Sequence, residues 1–275
     1  MSGSENVEIN KMEMIEKKII DLGRKYGPKN VIVSFDLDST LITQADSFGS
    51  DMWENWQYFL HKNDPDSPYL VSKDLGMIYD YQKDIQLLTK YYPTEKNIPN
   101  IVKKLEEKGF TVIVMTARGF DKRGFTERQL KTCGFNFNND SLSKYFFREY
   151  LPYNVNEPEM YGLTTEDVNN FYLGIPRAVS FFNGIMMVAG QNKGIMLKTL
   201  LHKTNKTFKS IVFIDDMKIN ADAVYDVYKT TEIDVNCFRY SYNDAVKRKF
   251  KMSSKVDVNE KWTKFKTLMD TVFGQ

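Results

Sequence analysis

Short, strongly apolar runs recur along the chain, and most are followed at once by polar or acidic residues. Residues 30–35 read NVIVSF, 111–115 TVIVM, 182–188 FNGIMMV, 209–214 KSIVFI and 233–239 IDVNCFR. Runs this short and continuous predict strands buried on both faces. Between them lie stretches with helical spacing. Over 8–22, Ile9, Met12, Ile15, Ile19 and Leu22 share one stripe, with Gly23 as the expected stop. Ile101, Val102 and Leu105 do the same over 98–109, closed by Gly109, and 122–133, 193–203 and 219–228 also read as helices. Strands alternating with helices of this length predict an α/β fold with a mostly parallel sheet flanked by helices.

Two stretches break the alternation. Residues 43–97 carry Trp53, Trp56, Tyr58, Phe59, Tyr79, Tyr81, Tyr91 and Tyr92, while 137–180 carry Tyr145, Phe146, Phe147, Tyr150, Tyr153, Tyr161 and Tyr172. Both are too long for ordinary connections and are expected to be insertions packed over the edge or mouth of the sheet. The expected organisation is an α/β core of residues 1–42 and 98–275, with a cap-like insertion at 43–97 and a second insertion at 137–180. No internal repeat or low-complexity linker interrupts it.

In open parallel sheets, ligands bind at the carboxyl ends of the strands. Four of those ends are chemically complementary here: Asp36-Leu37-Asp38-Ser39-Thr40, Thr116-Ala117-Arg118-Gly119, Lys193 within GQNKG, and Asp215-Asp216 with Asn220 beyond them. This set suits phosphoryl transfer. A carboxylate nucleophile, Asp36, needs charge repulsion cancelled before it can approach a phosphate ester. Mg²⁺ does that and takes hard oxygen ligands, which Asp36 and Asp215 can supply with Asp216 in support. Lys193 adds a fixed positive charge, and the Thr116 hydroxyl and the N–H groups of the Ala117 turn add hydrogen bonds to phosphoryl oxygens. Asp38 diverges from Asp36 if the chain bends sharply, and can then act as general acid and base. Arg118 has two open roles, contact with a substrate anion or pairing with an acid of an insertion. Asn220 is expected behind the metal ligands rather than among them.

FDLDST, TARG, the Lys of GQNKG and IDDMKIN resemble, in order, motifs I to IV of the haloacid dehalogenase (HAD) superfamily. The resemblance covers roughly residues 29–240. It implies a Rossmann-like HAD core, an aspartyl-phosphate intermediate on Asp36, cap elements at the insertions, and a metal contact from the Asp38 backbone carbonyl. The second Asp of motif I implies a phosphatase or phosphomutase rather than a dehalogenase. TARG together with NGIMMVAGQNKG is also similar to HAD-type effector phosphatases of intracellular bacteria such as Legionella, some of which act on phosphotyrosine. That similarity implies export into a host cell without a classical signal.

Other schemes fail on the residues. A cysteine-based phosphatase loop needs Arg six residues past Cys, but Asn139 follows Cys133 at that distance and Asn243 follows Cys237. The two histidines, His61 and His202, stand apart from the motifs, and no GxxxxGK[ST] loop occurs. A net charge of +2 gives no reason to expect nucleic acid as a partner. Two cysteines, no apolar run long enough to span a membrane and a polar N-terminus fit a protein made in the cytoplasm. The basic stretch 247–266, with Trp262 and Phe265 interleaved, has two readings: a helix packing its aromatic face on the core together with Met269, or a contact with an anionic membrane or another acidic partner. The expected partner is a phosphorylated substrate, small molecule or phosphoprotein. A phosphotransferase using the same site and a non-enzymatic binding module are the alternatives. The sequence carries no sign of oligomeric state.

Overall fold

The computed structural model describes residues 3–137, 142 and 144–274. Its elements run β1 (Glu5–Ile9), α1 (Met12–Tyr26), β2 (Val31–Phe35), β3 (Ile42–Gln44), α2 (Asp51–Asn63), α3 (Leu75–Leu88), β4 (Tyr91–Pro93) and α4 (Ile98–Glu107). They continue with β5 (Thr111–Thr116), α5 (Arg123–Thr132), β6 (Phe147–Tyr150), α6 (Thr165–Asn170), β7 (Val179–Phe182), β8 (Ile185–Met187) and α7 (Lys193–Thr204). The last are β9 (Ser210–Asp215), α8 (Lys218–Tyr228), β10 (Asp234–Tyr240), α9 (Asp244–Met252) and α10 (Val256–Phe273).

Eight strands form one sheet in the order β1-β10-β9-β2-β5-β8-β7-β6. The first six run parallel, and only the β8–β7 and β7–β6 pairs are antiparallel. Burial explains the apolar runs. Ile32, Ile113, Ile211 and Phe213 join a core cluster with Ile195 and Leu200 of α7 and Val224 of α8. Their neighbours of opposite parity, Val33, Val114, Val212 and Ile214, are equally buried, so both faces of the sheet are covered.

The structure changes several readings. Residues 8–22 do not form one helix: Glu5–Ile9 is a strand pairing with β10, and α1 starts at Met12. Gly23 does not stop α1. The helix passes through it to Tyr26, and glycine there serves packing instead: a Cβ would lie 2.3 Å from the Phe110 ring. The run 182–188 is not one strand but the hairpin of β7 and β8, turning at Asn183 and Gly184 with φ of 52° and 67°. A two-residue turn with both φ positive is the form that Asn-Gly favours, because its twist matches the strands. A Cβ on Gly184 would stand 2.6 Å from the Phe137 carbonyl oxygen. Gly184→Ala is therefore expected to cost about 2–3 kcal/mol from strain and overpacking together. The midpoint of urea unfolding measures it, and an unchanged midpoint would contradict this account of the turn.

The chain divides into two compact units, one holding the residues through Thr43 with Pro93–Tyr242, the other Gln44–Tyr92 with the residues from Asn243 onward. The insertion 137–180 thus belongs to the first unit. Within it β6 extends the sheet edge, and Tyr145, Phe147, Tyr150, Tyr153 and Tyr161 pack into the core cluster.

The C-terminal residues 243–275, read from the sequence as part of the core, instead belong to the second unit with the insertion. Trp53 of α2, Ile85 of α3, Phe250 of α9 and Val258 of α10 are buried together, with Phe48, Trp56 and Phe265 packed around them. Trp262 meets the Tyr81 ring edge-on at 4.7 Å between centroids. So the aromatic face of the basic stretch packs on the insertion's own helices. Part of its charge is spent there too: Lys261 pairs with Asp46, and Lys255 donates to the carbonyls of Phe250 and Ser253. Among the described residues, no helix is long and apolar enough to cross a membrane.

Candidate functional site

All the candidate residues lie in the first unit, at the carboxyl ends of its parallel strands. β2 delivers Asp36, whose N–H extends the ladder by donating to the Ile214 carbonyl at 2.8 Å. The chain then reverses at once. The N–H groups of Leu41 and Ile42 both donate to the Leu37 carbonyl, and Ser39 takes a left-handed φ of 62°. This is the sharp bend needed to send Asp36 and Asp38 in different directions. The hydroxyl of buried Thr40 accepts the Asp216 N–H at 3.0 Å, tying this turn to the end of β9.

Asp215 ends β9 with no exposure. Its Oδ1 accepts the Met217 N–H at 2.8 Å and the Asn220 side-chain amide at 3.1 Å, while Oδ2 faces Lys193. Asn220 thus orients the Asp215 side chain. Lys193 opens α7, where Asn192 caps the helix by accepting the Ile195 N–H at 3.1 Å. Gly194 lets α7 sit close to α8: a Cβ there would lie 2.4 Å from the Ala223 carbonyl oxygen.

Lys193 is the centre of the arrangement. Its side chain is 1% exposed, and its ammonium donates to Asp36 Oδ1 at 2.5 Å and to Asp215 Oδ2 at 2.6 Å. The other oxygen of Asp36 accepts no hydrogen bond among the described residues. Burial, together with the Asp215 and Asp216 charges, holds the Asp36 carboxyl well above the usual carboxylate range, and Lys193 offsets this only in part. Burial by itself would lower the Lys193 ammonium, but Asp215 and Asp36 outweigh it and push it up. Lysine therefore stays charged, and the cost of the buried negative charge shows on the Asp36 carboxyl.

Asp36, Asp215 and Asp216 can each present one oxygen within 4.8 Å of the others. All three are buried. The donors are hard oxygens, and two of the three carboxyls share one ammonium. Buried acids this close together, with Asp36 shifted upward, are what a divalent cation would relieve, so the residues present fit such an ion.

The second strand end contributes Thr116 and Arg118. The Thr116 hydroxyl accepts the Arg118 N–H at 3.2 Å, and its own hydrogen goes to no acceptor among the described residues. Ala117 is exposed, and its N–H likewise finds no acceptor there. Among the described residues, Arg118 is held by an acid of the first strand end. Its guanidinium forms a two-point pair with Asp38, Nε to Oδ2 at 2.8 Å and Nη2 to Oδ1 at 2.6 Å. The remaining Nη1 donates to Thr126 at 2.9 Å and Gln129 at 2.7 Å, both on α5. The sequence reading missed Thr126 and Gln129. The available signal was two polar side chains, three residues apart, on a helix face that is otherwise buried.

The family model described as a protein of unknown function (DUF2608) matches residues 8–273, and the chain belongs to that family. No curated protein matches the sequence.

Proposed function

We propose that this member of the family is a Mg²⁺-dependent phosphohydrolase of the HAD type, with Asp36 as nucleophile and Asp38 as general acid and base. The observation that supports it most is the Lys193 bridge between Asp36 and Asp215. That bridge fixes one oxygen of the nucleophile and leaves the other open, at a strand edge where acids outnumber the cation. The uncommitted oxygen attacks phosphorus in line, the bond from phosphorus to the ester oxygen breaks, and Asp38 gives its proton to that leaving oxygen. Asp38 then takes a proton from water as the water oxygen attacks the aspartyl-phosphate, releasing inorganic phosphate and restoring Asp36. In this reading Lys193, the Thr116 hydroxyl and the Ala117 N–H hold phosphoryl oxygens. Asp36, Asp215 and Asp216 would hold Mg²⁺, with the Asp38 carbonyl as a further oxygen and with Asn220 and Thr40 keeping Asp215 and Asp216 in place. When bound, the ion supplies positive charge against the phosphate and the nucleophile.

The reading is tested with a panel of phosphotyrosine peptides, nucleotides and sugar phosphates, with Mg²⁺ and with a chelator. Release of inorganic phosphate that stops on chelation and resumes on Mg²⁺ addition is the expected result. The preferred member of the panel identifies the ester, macromolecular or small. Absence of phosphate release across the panel would overturn the reading, and formation of a new phosphoester in its place would make the protein a phosphotransferase.

A further inference from the structure

The Arg118–Asp38 pair is asymmetric in a way that assigns direction to it. The Arg118 side chain is 4% exposed and the Asp38 side chain 26%. Arg118 is also held independently of Asp38. Nη1 is fixed by Thr126 and Gln129, one turn apart on α5, and the Phe125 ring lies 5.6 Å from the guanidinium carbon. Thr126 donates its own hydroxyl hydrogen to the Lys122 carbonyl at 2.8 Å, which leaves a lone pair turned to Arg118. The main chain of Arg118 is anchored too, since its carbonyl accepts the Ala189 N–H at 3.2 Å. The arginine is the fixed member and the aspartate the member being held. Two parallel N–H···O bonds define the plane of a carboxylate as well as its position, which a single point charge does not.

We propose that Arg118 is a positioning residue that sets the orientation of the Asp38 carboxyl for proton transfer to the leaving oxygen, with α5 as its anchor. The inference rests on the phosphohydrolase reading and adds to it a device 80 residues away in sequence from the group it serves. Its signature is dependence on the leaving group. A proton delivered to the leaving oxygen matters greatly for an alkyl ester and little for 4-nitrophenolate, which departs unaided. The ratio kcat/KM reports the first chemical step, so it isolates this contribution from the later hydrolysis of the aspartyl-phosphate.

The experiment measures kcat/KM of wild type, Arg118→Ala, Arg118→Lys and Thr126→Val on glycerol phosphate and on 4-nitrophenyl phosphate, with thermal melts alongside. For Arg118→Ala the expected fall is about 10–100-fold on the alkyl ester and no more than about threefold on the aryl ester, from general-acid magnitudes. Arg118→Lys is expected to behave like the alanine variant, because an ammonium cannot make the two-point pair. Thr126→Val, which only loosens the anchor, is expected to show the same selectivity at about two- to fivefold. If Arg118→Ala does not fold, the other two variants carry the test. Equal falls on both esters would overturn the inference and make Arg118 a phosphate-binding or purely structural group. A wild type inactive on both esters and across the panel overturns the phosphohydrolase reading, and this inference with it.

Discussion

Asp36→Asn is expected to abolish turnover, lowering kcat on the order of 10⁴-fold or more, as loss of a covalent nucleophile does. The carboxamide keeps the shape of the side chain, and its oxygen can still accept from the Lys193 ammonium. What it loses is the oxygen proposed to attack phosphorus. Stability should hold, because the change removes a buried acid whose charge Asp215 and Asp216 already oppose. Phosphate release and a thermal melt on the same preparation check both halves. Turnover within tenfold of wild type would rule out Asp36 as nucleophile, whatever the substrate.

Lys193→Met is expected to damage fold and activity together. The ammonium lies between two carboxylates, and removing one partner of a buried ionic group typically costs about 3–5 kcal/mol. The pH dependence has a definite sign. The folded carboxyl of Asp36 stands above its ordinary value of 3.8, so the folded state keeps a proton that the unfolded chain has already lost. That contribution to stability is present at low pH and is lost as pH rises through the raised range. Without Lys193 the carboxyl should be raised further, so the stability deficit is expected to grow with pH. Mg²⁺ should recover part of it. Urea unfolding of both proteins at acid and neutral pH, with and without Mg²⁺, measures these effects. A deficit that shrinks as pH rises would show that Lys193 is not the group balancing these acids.

The strands carrying the candidate site were legible because each is buried on both faces and so reads as an unbroken β-branched run. β1 was not. Glu5 and Glu8 interrupt it, and the five residues become a strand only through pairing with β10. That information lies more than 200 residues away along the chain. The hairpin of β7 and β8 is a different case, since Asn183-Gly184 is a strong local turn signal. Its apolar flanks hid it within what read as one continuous strand. The C-terminal helices show a third limit. Spacing identifies an apolar face on α10 but not its partner, and the face lies against Phe48 and Tyr81 rather than the core strands. Residue types at the site were legible in the same partial way. Asp38 and Arg118 were both singled out, yet nothing short of tertiary structure joins them.

The division of the second unit between two stretches of chain bears on how the protein is made. Trp53 and Ile85 are synthesised early, and their partners Phe250 and Val258 only after residues 93–242 have intervened. During translation those early helices leave the ribosome with an apolar face that has no native cover until Phe250 and Val258 have been made. Over that interval the exposed apolar face is open to misassembly and aggregation. A stop codon after Tyr242 would yield every strand of the main sheet, yet leave the insertion's helices as an adhesive surface that the cell's proteases would find first.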